Sequence, residues 1–365
     1  MSSLVSGSNV YVVRCPICYQ LNTPGLPKKH PACAMYHKST EETTVTTTLP
    51  PPPSSATAPT PEFASSCSLS TSWTPVSLKR VTPYNHDTSI FTFSLSLNLP
   101  TCACLLVRAP DCEHGGGEAV RPYTPIAERE GEFDLLIKSY KQWGEVGQRN
   151  FRPPGAVSSY MFGLRAGAKV DFKHIKFNLK IPYNLSHKGY GFEGVKTITM
   201  IAVGVGIAPM IQTLNSILEG ETEDITQVVL MLGNRSVKDI ILKEKLDAWE
   251  STKSNFKVIH HVGTRYAGIV SHKNTCPKSC RAPCKFWVSQ VPERWSELAE
   301  DRRERTWINQ TSIEKYAFKP SGDTRVFVCG LPSVYEALCG VRGTPLSADS
   351  ALGRLGYDEK AVVKF

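Results

Sequence analysis

The sequence has no uninterrupted run of about 18 apolar residues, so no transmembrane helix is expected. It has no block of Lys and Arg interleaved with aromatics, so no nucleic-acid partner is expected. It has no convincing secretory signal, and its 12 cysteines are scattered, which argues against a disulfide framework and for a reducing compartment. It opens Met-Ser-Ser rather than Met-Gly, so N-myristoylation is not expected. The first 40 positions lack Asp and Glu, a composition shared with organelle transit peptides. The expected location is intracellular, either mitochondrial or cytosolic and ER-associated.

A chain of 365 residues allows about two domains plus tails. Residues 1–62 carry four basic residues (Arg14, Lys28, Lys29, Lys38) against three acidic ones (Glu41, Glu42, Glu62), net +1 of the chain's +9. The remaining +8 suits acidic partners or a mixed, solvated surface. Residues 41–61 are mostly Thr, Ser, Pro and Ala and cannot bury a core, so 1–62 is expected to be a disordered extension or stiff linker. Cys15, Cys18, His30, Cys33 and His37 can be drawn as a zinc site, but the spacing fits no common finger and no metal is expected.

From Trp73 the pattern becomes that of strands. Phe91, Phe93, Leu95 and Leu97 alternate with Thr92, Ser94 and Ser96, predicting a half-buried strand. Residues 102–108 and 133–140 predict further strands, and together they suggest a small antiparallel barrel over 63–186. From 187 onward the strands are continuous apolar runs: 197–203, 227–233, 256–263 and 325–328. The segment from Lys238 is expected to lead a helix with Leu242, Leu246 and Trp249 on one face. The stretch 293–305 is expected to be a solvated helix within an inserted loop at 272–305, and Cys276, Cys280 and Cys284 there are not read as metal ligands because Pro277 and Pro283 break any helix.

The centre of the chain is Lys196 to Leu218. An apolar strand runs into Gly204-Val205-Gly206-Ile207-Ala208-Pro209, after which Met210, Leu214, Ile217 and Leu218 recur with helical spacing. Gly204 and Gly206 let a ligand approach the backbone, and Pro209 suits a first helical turn. The helix N-terminus would seat a pyrophosphate. Alone, the motif serves equally well as an ordinary glycine turn.

It has company. Arg121-Pro122-Tyr123-Thr124-Pro125 lies upstream and Cys329-Gly330-Leu331-Pro332 downstream. In this order the three segments resemble the NADH–cytochrome b5 reductase branch of the ferredoxin-reductase-like flavoproteins, over residues 73–365. The resemblance implies a two-domain fold: an antiparallel β-barrel that binds FAD (63–186), then a parallel α/β domain that binds NADH (187–365). It implies that Arg121 binds flavin phosphates, Tyr123 with Pro122 packs on the ring, and Thr124 approaches the flavin N5. It places the backbone of Ile137, Lys138 and Tyr140 at the flavin edge. Gly155, Val157 and Ser158 form a turn that holds the FAD pyrophosphate, although Ser158 is also a candidate N-cap.

By the same resemblance Gly204, Gly206, Pro209, Asn234, Asp239, Cys329, Gly330 and Pro332 contact the nicotinamide dinucleotide. Thr124 and Cys329 lie nearest the reacting atoms and are the catalytic candidates. Asp239 favours NADH, because a carboxylate repels a 2′-phosphate; Arg235 pulls toward NADPH. The implied reaction passes a hydride from NADH to FAD and then single electrons to a haem protein. Cytochrome b5 or a similar acidic protein is the expected acceptor, and a monomer is expected.

The sequence departs from the family in three places. Val205 stands where relatives carry Thr, Leu331 where they carry Pro, and a Gly-Pro turn expected near the adenine is missing from 171–177. The alternatives are a reductase with a ferredoxin-like acceptor, an NADPH diaphorase, or a non-catalytic flavin- or nucleotide-binding relative.

Overall fold

Backbone N–H and C=O groups need partners, and among the described residues two sheets of seven and six strands account for all of the strands. The computed structural model describes residues 68–97, 103–110, 117–142, 154–174, 194–220, 225–263 and 294–365. These all lie in one compact unit, Glu62–Phe365. The N-terminal extension with its Cys/His cluster, and Cys276, Cys280 and Cys284, fall outside the described residues.

The first sheet holds β1 (Thr74–Pro83), β2 (Thr88–Phe93), β3 (Leu105–Ala109), β4 (Ala119–Tyr123), β5 (Pro125–Arg129), β6 (Glu132–Lys138) and β7 (Lys169–His174). Its order is β4-β3-β7-β1-β2-β6-β5, and every neighbouring pair is antiparallel. β4 and β5 are the two edges of this ladder, yet Thr124 alone separates them in the chain. The sheet therefore curls until its edges meet at Thr124. Inside the curl Phe93 stacks on Phe133 at 5.3 Å, and Phe172 meets both edge-on at 4.8 and 5.5 Å. Such aromatic contacts add to the burial of the rings themselves.

The half-buried strand expected at 91–97 ends at Phe93; of its polar positions Ser94 is exposed as expected, but Thr92 is not. Thr88 and Thr92 are buried. Thr92 donates to Asp134 at 2.6 Å, and Arg129 closes on the same carboxylate at 2.9 Å. The reason is tertiary: Ile90, on the outer face of β2, packs against the core of the second sheet.

The second sheet is wholly parallel: β8 (Thr197–Val203), β9 (Gln227–Asn234), β10 (Phe256–Val262), β11 (Arg303–Glu304), β12 (Thr324–Cys329) and β13 (Val362–Lys364), in the order β11-β10-β9-β8-β12-β13. Both faces are covered, which is why the strands read as unbroken apolar runs. Ile198, Met200, Leu230 and Phe327 face the cluster built on the helix Ala208–Leu218, whereas Ile201, Met231, Val326 and Val328 face the other side. The helices are α1 (Ala156–Phe162), between β6 and β7, and α2 (Ala208–Leu218), α3 (Lys243–Thr252), α4 (Gln310–Tyr316), α5 (Pro332–Leu338) and α6 (Ala351–Arg354). Among the described residues no helix is long and apolar enough to cross a membrane. Antiparallel sheet followed by parallel sheet is the architecture anticipated from the sequence.

Three local expectations need correction. The helix expected from Lys238 begins at Lys243, because Leu242 is left-handed (φ 57°) and only a short 3₁₀ turn, Val237–Asp239, precedes it. The stretch expected to be a solvated helix at 293–305 is, from 294 on, two 3₁₀ turns leading into edge strand β11. Its Trp295 and Leu298 are buried in the core. The N-cap of α1 is Gly155, not Ser158; the Ser158 hydroxyl turns back to donate to the Gly155 carbonyl at 3.0 Å.

Candidate active site

From β8 the chain steps outward through β9, β10 and β11, then returns on the other side of β8 as β12 and β13. The strands that follow β8 and β12 lie on opposite sides of this pair, so the carboxyl ends of β8 and β12 are the sheet's topological switch point. α/β sheets bind ligands in the crevice outside such a point. Gly204 to Pro209 follows β8 and Gly330 to Pro332 follows β12, so the two motifs meet across this crevice. Gly204 adopts φ +54° with open space where a Cβ would be. Gly206 is close-packed instead: a Cβ there would lie 2.4 Å from the Cys329 carbonyl oxygen. Its lack of a side chain serves the fit between the two loops, not the ligand approach expected of it. Pro209 is buried in the first turn of α2 and Pro332 opens α5.

The Cys329 thiol is half-buried, and burial raises its pKa to about 11, only partly offset by the Tyr335 hydroxyl. It is therefore a neutral thiol near pH 7, a small polarisable wall and not a nucleophile. Tyr335 also donates to the Phe365 carbonyl, and the Phe365 ring meets Phe327 edge-on at 5.7 Å. The aromatic at 365 thus packs into the core.

The antiparallel sheet supplies the facing wall. Gln212 of α2 donates to the Pro125 carbonyl, and Ile126 and Leu136 are buried in the same cluster as Met210, Ile211 and Leu214. This seats Arg121-Pro-Tyr-Thr-Pro against the helix that follows the glycines. Tyr123 is half-buried; burial raises its phenol above the ordinary range, Tyr140 adds to the rise and Arg121 opposes it. Arg121 donates to the Val120 carbonyl at 2.8 Å. The Thr124 hydroxyl, at the seam of the curled sheet, is half-buried and makes no hydrogen bond to the described residues.

β5 begins at Pro125 opposite Leu135, so β6 overhangs it from Leu136 onward and leaves one edge of its backbone unpaired in the ladder. Ile137 and Val157 point their side chains into the barrel core, so only their main chains are left for a cofactor. Gly155 donates to the Tyr140 carbonyl at 2.9 Å, bringing α1 to the same edge. Tyr140 is exposed. Loss of water raises its phenol pKa, the Asp87 carboxylate adds to this, Arg235 opposes it and the Cys329 thiol adds slightly. Tyr140 therefore stands between the end of β12 and a polar cluster at the domain boundary.

That cluster was largely missed in the sequence. The Lys138 ammonium lies 2.8 Å from Asp87 and 3.1 Å from Asp239. Arg235 reaches Asp87 at 3.2 Å and Asp239 at 3.5 Å, and Ser236 donates to Asp239 at 2.6 Å. His86 stands 3.5 Å from Asp87 and 3.6 Å from Asp239. Burial alone would raise the Asp239 pKa, but the Ser236 hydroxyl and Lys138 outweigh it and hold the carboxyl below its ordinary value. His86, Asp87 and Asp239 offer three metal-ligating atoms, but Lys138 already supplies the cation there. Nothing in the local pattern marks Asp87: it is a turn residue between β1 and β2 whose partners lie 51 and 148 positions away.

Asn234 ends β9 beside this crevice. It is buried, and neither its amide nitrogen nor its oxygen has a partner among the described residues. A buried amide left unsatisfied is costly and calls for a ligand or water. The orphaned Asn234 amide, open Gly204, the unpartnered Thr124 hydroxyl and the unpaired edge of β6 all fit a flavin and a dinucleotide. Asn234, Gly204 and the start of α2 fit the dinucleotide; Arg121, Tyr123, Thr124, the β6 edge and Gly155 fit the flavin.

Residues 75–180 match the oxidoreductase FAD-binding domain family, and residues 200–276 match the oxidoreductase NAD-binding domain family. An NADH-cytochrome b5 reductase-like protein of Arabidopsis thaliana is 30% identical over 305 residues, covering 80% of this chain and 76% of its own length. NADH-cytochrome b5 reductase 1 of Dictyostelium discoideum is 30% identical over 288 residues, covering 77% of each. The cytochrome b5 reductase domain of Ulva prolifera nitrate reductase superimposes with a TM-score of 0.55 at 23% identity, covering 80% of this chain and 97% of that one.

Proposed function

We propose that the chain, which belongs to the NADH-cytochrome b5 reductase family and is an oxidoreductase using FAD and NADH, passes its electrons singly to a haem protein of the cytochrome b5 type. One observation supports the reading: Gln212 on the Pro125 carbonyl and Lys138 on Asp239 tie the two sheets together, with Arg121–Pro125 beside the helix that follows Gly204–Pro209 and Gly206 packed on Cys329. The relatives named after cytochrome b5 and the +8 charge outside the extension support the acceptor, since an acidic protein would be steered to a positive surface.

When bound, flavin supplies the hard chemistry, accepting two electrons as a hydride and releasing them one at a time. The protein binds, orients and excludes water. The 3₁₀ turn Gly204–Ile207 runs straight into α2, where the Ala208 N–H already bonds the Val205 carbonyl and Pro209 has none, so it is the N–H groups at the start of this turn, with the positive end of the helix dipole behind them, that would face a pyrophosphate. A Cβ on Gly330 would press on Val334 at 3.1 Å, so its bare backbone lets α5 pack against the end of β12, and the neutral Cys329 thiol would present no charge to the nicotinamide ring. Tyr123 and Thr124 present a ring and a hydroxyl from the opposite wall. The proposed reaction needs no general acid or base on the protein.

The test is anaerobic mixing of the flavin-loaded protein with NADH, followed by oxidised cytochrome b5 or a plant-type ferredoxin. Flavin bleaching with NADH and reoxidation by cytochrome b5 faster than by ferredoxin is expected. Faster turnover with ferredoxin would replace the acceptor; flavin unmoved by NADH would overturn the reading.

A further inference from the structure

We infer that Asp87, on the turn between β1 and β2, is a specificity-determining residue for the dinucleotide: it engages the Arg235 guanidinium and so denies it to the 2′-phosphate of NADPH. The inference rests on the function proposed above, with the dinucleotide lying across the crevice and its adenosine ribose at the end of β9, where a second strand of such a sheet normally presents its ribose contacts.

Arg235 is the first residue beyond β9, and its side chain is 63% exposed. A guanidinium in that place is built to grip a phosphate with two parallel hydrogen bonds. Here one nitrogen of the fork, Nη2, is already engaged, 3.2 Å from Asp87 and 3.5 Å from Asp239, and the two carboxylates flank it. Among the described residues the cluster sets two carboxylates against two cations, Lys138 and Arg235, so its charge is balanced without a ligand. A 2′-phosphate arriving there meets two carboxylates. To win Arg235 it must strip Asp87 of its guanidinium, leaving it the Thr88 hydroxyl, the His86 ring and an ammonium that Asp239 also uses. A ribose hydroxyl faces no such cost.

The two carboxylates are not equivalent. Asp239 belongs to the nucleotide domain and accepts from Ser236 and Lys138, so its removal would unsettle the turn after β9. Asp87 belongs to the antiparallel sheet and is the closer of the two to Arg235. Selection against NADPH therefore depends on both domains, and its second element is invisible to any inspection of the nucleotide domain alone.

The test compares the wild type, Asp87→Asn, Arg235→Ala and the double variant in the FAD-loaded protein. Calorimetry with 2′,5′-ADP and 5′-AMP reads binding, and kcat/KM for NADPH and NADH reads use. Asp87→Asn is expected to raise the preference for 2′,5′-ADP over 5′-AMP roughly tenfold, the scale of one charge-assisted pair, and the double variant is expected to lose that gain. Arg235→Ala alone, on an exposed side chain, is expected to change the wild-type preference by less than about twofold, because an engaged guanidinium contributes little.

An unchanged preference in folded Asp87→Asn overturns the inference. So does a gain that persists without Arg235, or a large loss in Arg235→Ala, which would mean that the arginine already holds phosphate with Asp87 in place. Failure of the wild type to bind 5′-AMP or be reduced by NADH would overturn the functional reading itself, an outcome distinct from these.

Discussion

Gly206 and Cys329 touch backbone to backbone across the crevice, so closely that a Cβ on Gly206 would stand 2.4 Å from the Cys329 carbonyl oxygen and 3.2 Å from the Gly330 nitrogen. The loops after β8 and β12 are thus one packed unit. Gly206→Ala must push them apart, since the obstacle is backbone and cannot rotate away. Overpacking of this kind costs roughly 1–3 kcal/mol. The expected outcome is a lower thermal midpoint together with slower reduction of bound flavin by NADH. Stopped-flow absorbance and a melting curve check it. Gly204→Ala should differ: its space is open, and its penalty comes from the positive φ alone.

Lys138 is the shared counter-ion of two largely buried carboxylates, at 2.8 Å from Asp87 and 3.1 Å from Asp239. Lys138→Met keeps the length of the side chain and removes the charge. Breaking a buried pair from one side costs roughly 3 kcal/mol, and here Arg235 still faces both carboxylates, so the loss should stay below that. The pH dependence has a definite sign. The Asp239 pKa is held below its ordinary value, so its contribution is present above about 4, where the unfolded carboxyl is ionised, and is lost as pH falls through the lower folded value. The gap between wild type and Lys138→Met should therefore be widest near neutrality and close as the pH falls through the lowered folded value. Urea unfolding at pH 7, 4 and 3 measures it.

The order of local elements was legible because each announces itself locally: period two in β2, unbroken apolar runs in β8 and β9, and a glycine turn feeding helical spacing in α2. The meeting of Arg121–Pro125 with Gly204–Pro209 followed only from family resemblance, because the Gln212–Pro125 contact spans 87 positions. The Asp87–Lys138–Asp239 cluster was not legible for the same reason, its members lying on two turns and a strand end of different sheets. Thr92 was misread as solvated because alternation shows that one face is polar, not what covers it. Ser158 was a reasonable N-cap by type, but the buried turn put Gly155 there.

His260 and His261 are consecutive in β10, so they point to opposite faces, and both are buried. Nδ1 of His260 and Nε2 of His261 have no partner among the described residues. Burial lowers both pKa values to about 4; Lys243 also disfavours the charge on His260, and the Thr306 carbonyl partly opposes the shift at His261. Unfolding frees each ring to titrate near 6.5, so between about 4 and 6.5 the unfolded chain holds the extra proton and stability rises with pH. Acidification from pH 7 to 5 should remove about 2 kcal/mol for each histidine. His260→Leu should flatten that slope by about half while leaving the Asp239 limb below pH 4 in place. Chemical unfolding at half-unit pH steps from 4.5 to 7 provides the check, and a slope identical to wild type would show that His260 is charged when folded.

The same logic separates Cys329 from an activated cysteine. A thiol poised for nucleophilic work has its pKa pulled down toward neutrality; here burial pushes it up to about 11. Alkylation by iodoacetamide, followed by peptide mass spectrometry so that each cysteine is read separately, should label Cys329 slowly at pH 7. Its rate should climb about tenfold per pH unit, as the thiolate fraction does, as far as the protein stays folded. Cys329→Ser keeps a small neutral side chain against the nicotinamide and should retain flavin reduction by NADH, whereas Cys329→Asp places a charge there and should abolish it. Loss of flavin reduction in the serine variant together with rapid alkylation at neutral pH would mean that Cys329 works as a thiolate, and the neutral wall assigned to it at the end of β12 would have to be given up.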